Sequence, residues 1–141
     1  MCEGGKNREA GRAKMKELWY DNSVTRCKSK DFAIRIIKFV RLLQKEEGEK
    51  IISNQLFRSG TSIGANIRES YNAQSKADFI NKLHIALKEA DETAYWLELL
   101  YESNIINKAY FDSMYNDLKE IIALLTASIK TSKQNEQQNK L

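Results

Sequence analysis

The chain has 141 residues, a formal net charge of +4, 42% hydrophobic residues, six glycines and no proline. That is about one domain, long enough to bury a core without disulfides or metals, and the lack of proline and glycine punctuation argues against the short strands of a sandwich or barrel. No apolar run nears the roughly 20 residues that span a bilayer, and the opening Met1-Cys2-Glu3-Gly4-Gly5-Lys6 lacks the apolar centre of a signal peptide.

A cytoplasmic, all-α protein without membrane association is therefore expected, with Cys2 and Cys27 reduced, since neither has metal-type spacing or a nearby histidine. Residues 1–20 are expected to be a disordered or partly helical extension, because three glycines and low hydrophobicity up to Lys14 cannot offset ordering entropy. Met15 opens a more helical segment and is an alternative start of translation. The bundle domain is placed at 21–132 and a polar, disordered tail at 133–141.

The first long helix is predicted from about Asp31 to Glu47, since Phe32, Ile36, Phe39, Val40 and Leu43 recur at steps of three and four. Arg35, Lys38, Arg41 and Lys45 cluster opposite that stripe, as on any amphipathic helix. Ile34, Ile37 and Leu42 fall outside it, which points to an intermolecular contact.

A second helix is predicted over about Asn54 to Ala73, buried through Leu56, Ile63 and Ile67. Its Gly60 and Gly64 each cost about 1 kcal/mol relative to alanine in a helix interior. Sharing one face, they let a neighbouring backbone approach closely, the ordinary reason to accept that cost. Arg58, Ser59, Ser62, Asn66, Glu69 and Ser70 form a polar ridge at helical spacing. Two readings stay open: the ridge pairs across a helix interface and sets its register, or Arg58 and Arg68 contact phosphates.

The third helix begins with a capping box, Ser75 followed by Asp78. Phe79, Leu83, Ala86, Leu87, Ala90, Ala94, Leu97 and Leu100 then carry it to about Glu102, the longest helix predicted. Asn104 and Asn107 mark a turn and the next cap; Tyr110, Phe111, Met114, Leu118, Ile121, Ile122, Leu125 and Ile129 make the fourth helix. Four such helices joined by short connections predict an antiparallel up-and-down four-helix bundle.

A bundle can house a carboxylate-bridged metal pair, but that needs two Glu-x-x-His motifs. The single histidine, His84, follows Asn81 at that spacing, so no metal set assembles. Glu89 and Glu92 read as solvated charges. No phosphate loop or nucleophile elbow occurs, so neither an enzyme nor a cofactor is expected. Charge is unevenly spread: residues 1–30 carry 8 basic and 4 acidic side chains, whereas residues 75–104 carry 3 and 6.

The run Arg58-Ser59-Gly60-Thr61-Ser62-Ile63-Gly64-Ala65-Asn66-Ile67-Arg68-Glu69, with Ser75-Lys76-Ala77-Asp78-Phe79 and Ala86-Leu87-Lys88-Glu89-Ala90-Asp91-Glu92-Thr93, resembles the four-helix bundle family of 23S rRNA intervening-sequence proteins. Asp31-Phe32-Ala33-Ile34-Arg35-Ile36 and Tyr95-Trp96-Leu97-Glu98-Leu99-Leu100 fit the same pattern, so the resemblance spans about Asp31 to Ile129. It implies ring-shaped homopentamers. A related bundle accompanies the reverse transcriptase of diversity-generating retroelements, so the resemblance also implies RNA or DNA, or a nucleic-acid enzyme, as partner.

Carried over, Arg58, Arg68 and Lys88 become candidate phosphate contacts, and assembly would multiply a mild charge into a field. The basic residues of the first helix, Arg35, Lys38, Arg41 and Lys45, join that candidate set. Ser59, Gly60, Ser62, Gly64, Asn66 and Glu69 are the candidate packing positions, with Ile34, Ile37 and Leu42 outside. Asp78, Glu89, Asp91, Glu92, Glu98 and Glu102 make the third helix acidic, so a nucleic-acid face must lie elsewhere. The rival expectation is a protein-interaction module that binds no nucleic acid.

Overall fold

The computed structural model describes residues 23–139, which form four helices: α1 Val24–Glu46, α2 Ile51–Ser70, α3 Lys76–Glu102 and α4 Lys108–Asn139. The expectations for residues 1–20, Cys2 and Met15 included, lie outside the described residues. No strand occurs among the residues described.

Helix α1 starts two turns before the predicted Asp31. Ser23 caps it, accepting from the Arg26 amide at 3.2 Å, and Thr25 and Ser29 continue the buried stripe of Phe32 backwards. These two hydroxyl side chains hid the first turns from a search for apolar residues. Ser29 meets its own need by donating to the Arg26 carbonyl at 2.9 Å. Gly48, at φ +66°, ends the helix in the left-handed conformation that glycine adopts without strain.

The start of α2 at Ile51, ahead of the predicted Asn54, is set by Glu49. Its carboxylate accepts from the Ile52 and Ser53 amides at 2.8 Å each, satisfying two of the donors a helix start leaves open. The helix stops at Ser70, short of the predicted Ala73. Tyr71, Asn72 and Ala73 each donate to the carbonyl three residues back, which tightens the chain into a turn.

Ser75 caps α3 as predicted, accepting from the Asp78 amide at 3.1 Å, while Asp78 accepts in return from the Gln74 amide at 3.3 Å. The other end closes on Asn104, at φ 62°, with the Ile105 amide donating to the Leu100 carbonyl at 2.9 Å, as in a Schellman turn. Asn107 caps α4 by accepting from the Tyr110 amide at 2.9 Å. At 32 residues α4 exceeds the 27 of α3, which was predicted to be the longest. It is helical through Asn139, whereas a disordered tail is expected from Lys133; burial ends at Ile129 and Ser132, and the exposed turns beyond hold residues that continue a helix at little cost.

The order of cross-helix pairs gives the direction of each helix. Ser29 lies against Gly64 and Ile36 against Gly60, so α1 and α2 run oppositely. Arg58 pairs with Glu89 and Glu92, and Glu69 with Lys82, so α2 and α3 do too; Lys28 pairs with Glu120 and Arg35 with Asp117, reversing α4 against α1. The core between them includes Phe32, Ile36, Leu56, Ile63, Ile67, Leu97, Leu100, Leu118, Ile121 and Leu125, all essentially inaccessible. Three seams are extensive and the fourth, α1 against α4, is slim.

Candidate nucleic-acid interface

Between α1 and α2 the two backbones come unusually close. A Cβ at Gly60 would stand 2.8 Å from Ile36 Cγ1, and one at Gly64 would stand 3.3 Å from the Ser29 carbonyl oxygen. Both glycines face α1. Above this contact lies a shallow groove of about 290 Å³ lined by Arg26, Lys30, Ala33, Thr61, Gly64, Ala65 and Arg68. Three of these seven are basic and none is acidic, so the groove presents cationic side chains over a floor of small residues. Lys30 and Arg68 are exposed and Arg26 is half-buried.

The same composition extends along the face. On α1 the positions 26, 30, 33, 37 and 41 follow helical spacing and hold Arg26, Lys30, Ala33, Ile37 and Arg41; on α2 the positions 57, 61, 65 and 68 hold Phe57, Thr61, Ala65 and Arg68. No carboxylate interrupts either row. Gln44 donates to Asn54 Oδ1 at 2.8 Å and to Ser53 Oγ at 3.0 Å, fixing the far end of the face.

Of the predicted phosphate contacts, Arg68 alone lines this groove. Arg58 turns to α3 and forms a fork on Glu89, at 3.2 Å, and Glu92, which accounts for both carboxylates expected to be merely solvated. Arg35 bonds Asp117 and the Ser113 hydroxyl, the latter at 2.8 Å. Arg58 and Arg35 thus each engage carboxylates of the chain itself. Lys38, Arg41 and Lys45 stand exposed on α1 and Lys88 on the outer side of α3, each without an ion pair among the described residues.

The polar ridge of α2 divides in the structure. Ser59 is fully buried and its Oγ accepts from Thr93 Oγ1 at 2.9 Å, a hydroxyl pair joining α2 to α3, and Glu69 meets Lys82 at 3.5 Å. Ser62 and Asn66 instead bond carbonyls of their own helix, Ser62 to Arg58 at 2.6 Å and Asn66 to Ser62 at 2.8 Å, so the ridge acts only partly across the interface. Ile34 and Ile37 are half-buried, and Leu42, 37% exposed, sits with Phe39, Tyr110 and Met114 in a groove on the α1–α4 seam.

Arg26 and Lys30 were missed because they precede the predicted start of α1. The Ser23 cap three residues ahead of Arg26 is the signal that would have found them. Among the described residues, no three histidine, cysteine or acidic side chains come together as a metal site, and no helix is long and apolar enough to cross a membrane.

Residues 22–127, about three quarters of the chain, match the 23S rRNA-intervening sequence protein family. The chain belongs to that family. A crystal structure of an S23 ribosomal protein family member of unknown function from Bacteroides thetaiotaomicron is similar at 54% identity and a TM-score of 0.75. The likeness covers 76% of this chain and 99% of that one. No curated protein matches. In this 23S rRNA-intervening sequence family member, the Arg58 to Glu69 block that carries the resemblance is the segment that closes α2 on both α1 and α3.

Proposed function

We propose that this protein is a non-catalytic, homo-oligomeric accessory factor that binds nucleic acid through the α1–α2 face. The observation behind this reading is the α1–α2 groove, whose lining holds Arg26, Lys30 and Arg68 and no acidic residue. Backbone phosphates bind closely spaced cations, and guanidinium groups, planar and weakly hydrated, are well suited to that task. The reading places the protein in the cytoplasm, assembled by family resemblance as a pentamer and working beside RNA, DNA or a nucleic-acid enzyme. Repetition of the groove around a ring would strengthen attraction for a polyanion without any new contact.

Gel-shift titrations over a range of salt test it. Binding should weaken steeply as salt rises, and Arg68→Ala should weaken it and flatten the salt slope, whereas Arg58→Ala should leave it nearly unchanged. Absence of binding at low salt would refute the reading.

A second reading rests on the acidic outer side of α3, where Asp91 and Glu102 are exposed. If the α1–α2 face of one copy met this side of the next, the contact would be head-to-tail, the kind that builds a ring where the rotation between copies closes. Light scattering separates the two readings: a mass that falls to the monomer on Arg68→Ala supports the second, and an unchanged mass with weakened nucleic-acid binding supports the first.

A further inference from the structure

We infer that the α1–α2 face takes a single strand of nucleic acid, its phosphates on Lys30 and Arg68 and an unpaired base stacked on Phe57. This rests on the proposed nucleic-acid function and adds the form of the ligand.

Phe57 is 42% exposed and has no ring partner among the described residues. It shares the face of Arg68, which lies eleven residues on, or about 16 Å along the helix. Between them Thr61, Gly64 and Ala65 present little bulk, so a chain lying in the groove can pass from the cationic end to the ring without obstruction. The antiparallel order that joins Gln44 to Asn54 and Ile36 to Gly60 brings the exposed Arg41 to the Phe57 end. Cations therefore stand at both ends of a floor of small residues, with the aromatic ring beside one of them.

That arrangement discriminates between nucleic-acid forms. In a duplex the faces of the bases are covered by their neighbours, and a ring at the protein surface gains nothing from them. In a single strand a base can turn out and stack, whatever its identity, while the backbone follows the cations. Phosphate contacts alone would serve either form; Phe57 gains only from the single strand. The buried anchors of its helix, Leu56, Ile63 and Ile67, lie about a quarter to a third of a turn away from Phe57, so a large part of its ring is left open to solvent.

The test uses the full chain and a short labelled oligonucleotide, single-stranded or annealed to its complement, followed by fluorescence anisotropy at low salt. The single strand should bind more tightly than the duplex. Phe57→Ala should weaken single-strand binding by about tenfold or more and leave duplex binding alone. Phe57→Trp should keep the affinity and add indole fluorescence that the single strand quenches, a signature that a merely structural residue would not give. Circular dichroism of each variant confirms that it is folded.

Salt-sensitive binding that favours the duplex, or that ignores Phe57→Ala, would overturn this inference and leave the proposed function standing. Absence of binding by either form at low salt would overturn both. A Phe57→Ala variant that changes the oligomer mass and not the affinity would assign the ring to a contact between copies, also overturning the inference.

Discussion

At Gly60 the missing side chain matters more than helix propensity. Alanine there would gain about 1 kcal/mol of propensity, yet its Cβ would meet the buried Ile36 at 2.8 Å, and overpacking of a tight core costs about 1–3 kcal/mol. Gly60→Ala is therefore expected to destabilise the protein in urea titrations. Adding Ile36→Ala, which removes the atoms in the way, should cost less than the sum of the two single changes, whereas strict additivity would show that the contact is not the cause. The sequence showed that two glycines share a face. It could not show which helix the face meets, because that depends on the register of α1, set by a cap at Ser23 outside the predicted boundary.

Tyr71 carries a second residue-scale expectation. Burial disfavours its phenolate and raises its pKa above the ordinary value, with a hydrogen bond to Ser23 and the nearby Arg26 charge opposing. A raised folded-state pKa means that the stabilising contribution is complete below the unfolded pKa, near 10, and is lost as pH climbs through the folded value. Wild-type stability should thus fall above about pH 10, and Tyr71→Phe should lack that part of the fall. The tyrosinate absorbance obtained by difference between the two proteins should rise at higher pH than free tyrosine does; a titration at the free value would contradict the burial.

Among the elements, α3 was the most legible, because its cap and its apolar period agree. The polar ridge of α2 was legible as a row but not as a set of partners. Ser59 faces Thr93 and Arg58 faces Glu89, contacts about thirty residues apart in the chain that no local spacing specifies. The carboxylates that Arg58 engages lie on another helix, so its spacing in the sequence does not reveal them. At the end of α4 a polar composition points to disorder, yet Lys, Gln and Glu also continue an existing helix at little cost. Lys133, Gln134, Asn135, Gln137 and Gln138 are all exposed, so removing residues 133–141 should lower far-UV helicity while changing stability by less than about 1 kcal/mol. A markedly larger loss would mean that the last turns are held by packing.

For the whole molecule, the four seams are unequal. The α1–α4 seam is slim and is bridged by Lys28–Glu120 and Arg35–Asp117, pairs between half-exposed side chains that contribute little individually. Helix α3, by contrast, packs extensively on both neighbours. Native-state hydrogen exchange should therefore find α1 amides opening with a lower free energy than those in the middle of α3, and more so as salt rises; equal protection would show that the bundle opens only as a whole.

The weak intrinsic helicity of α2, with glycine at 60 and 64 and hydroxyls at 53, 59, 61, 62 and 70, also has a consequence in time. A segment that is helical only because two neighbours hold it cannot lead the folding reaction, and α3 with α4, joined by a short turn and rich in local contacts, can form first. Helix α2 would then dock late, so changes in its small residues would act mainly on how fast the native bundle comes apart rather than on how fast it forms. The face made last is also the face most readily remade.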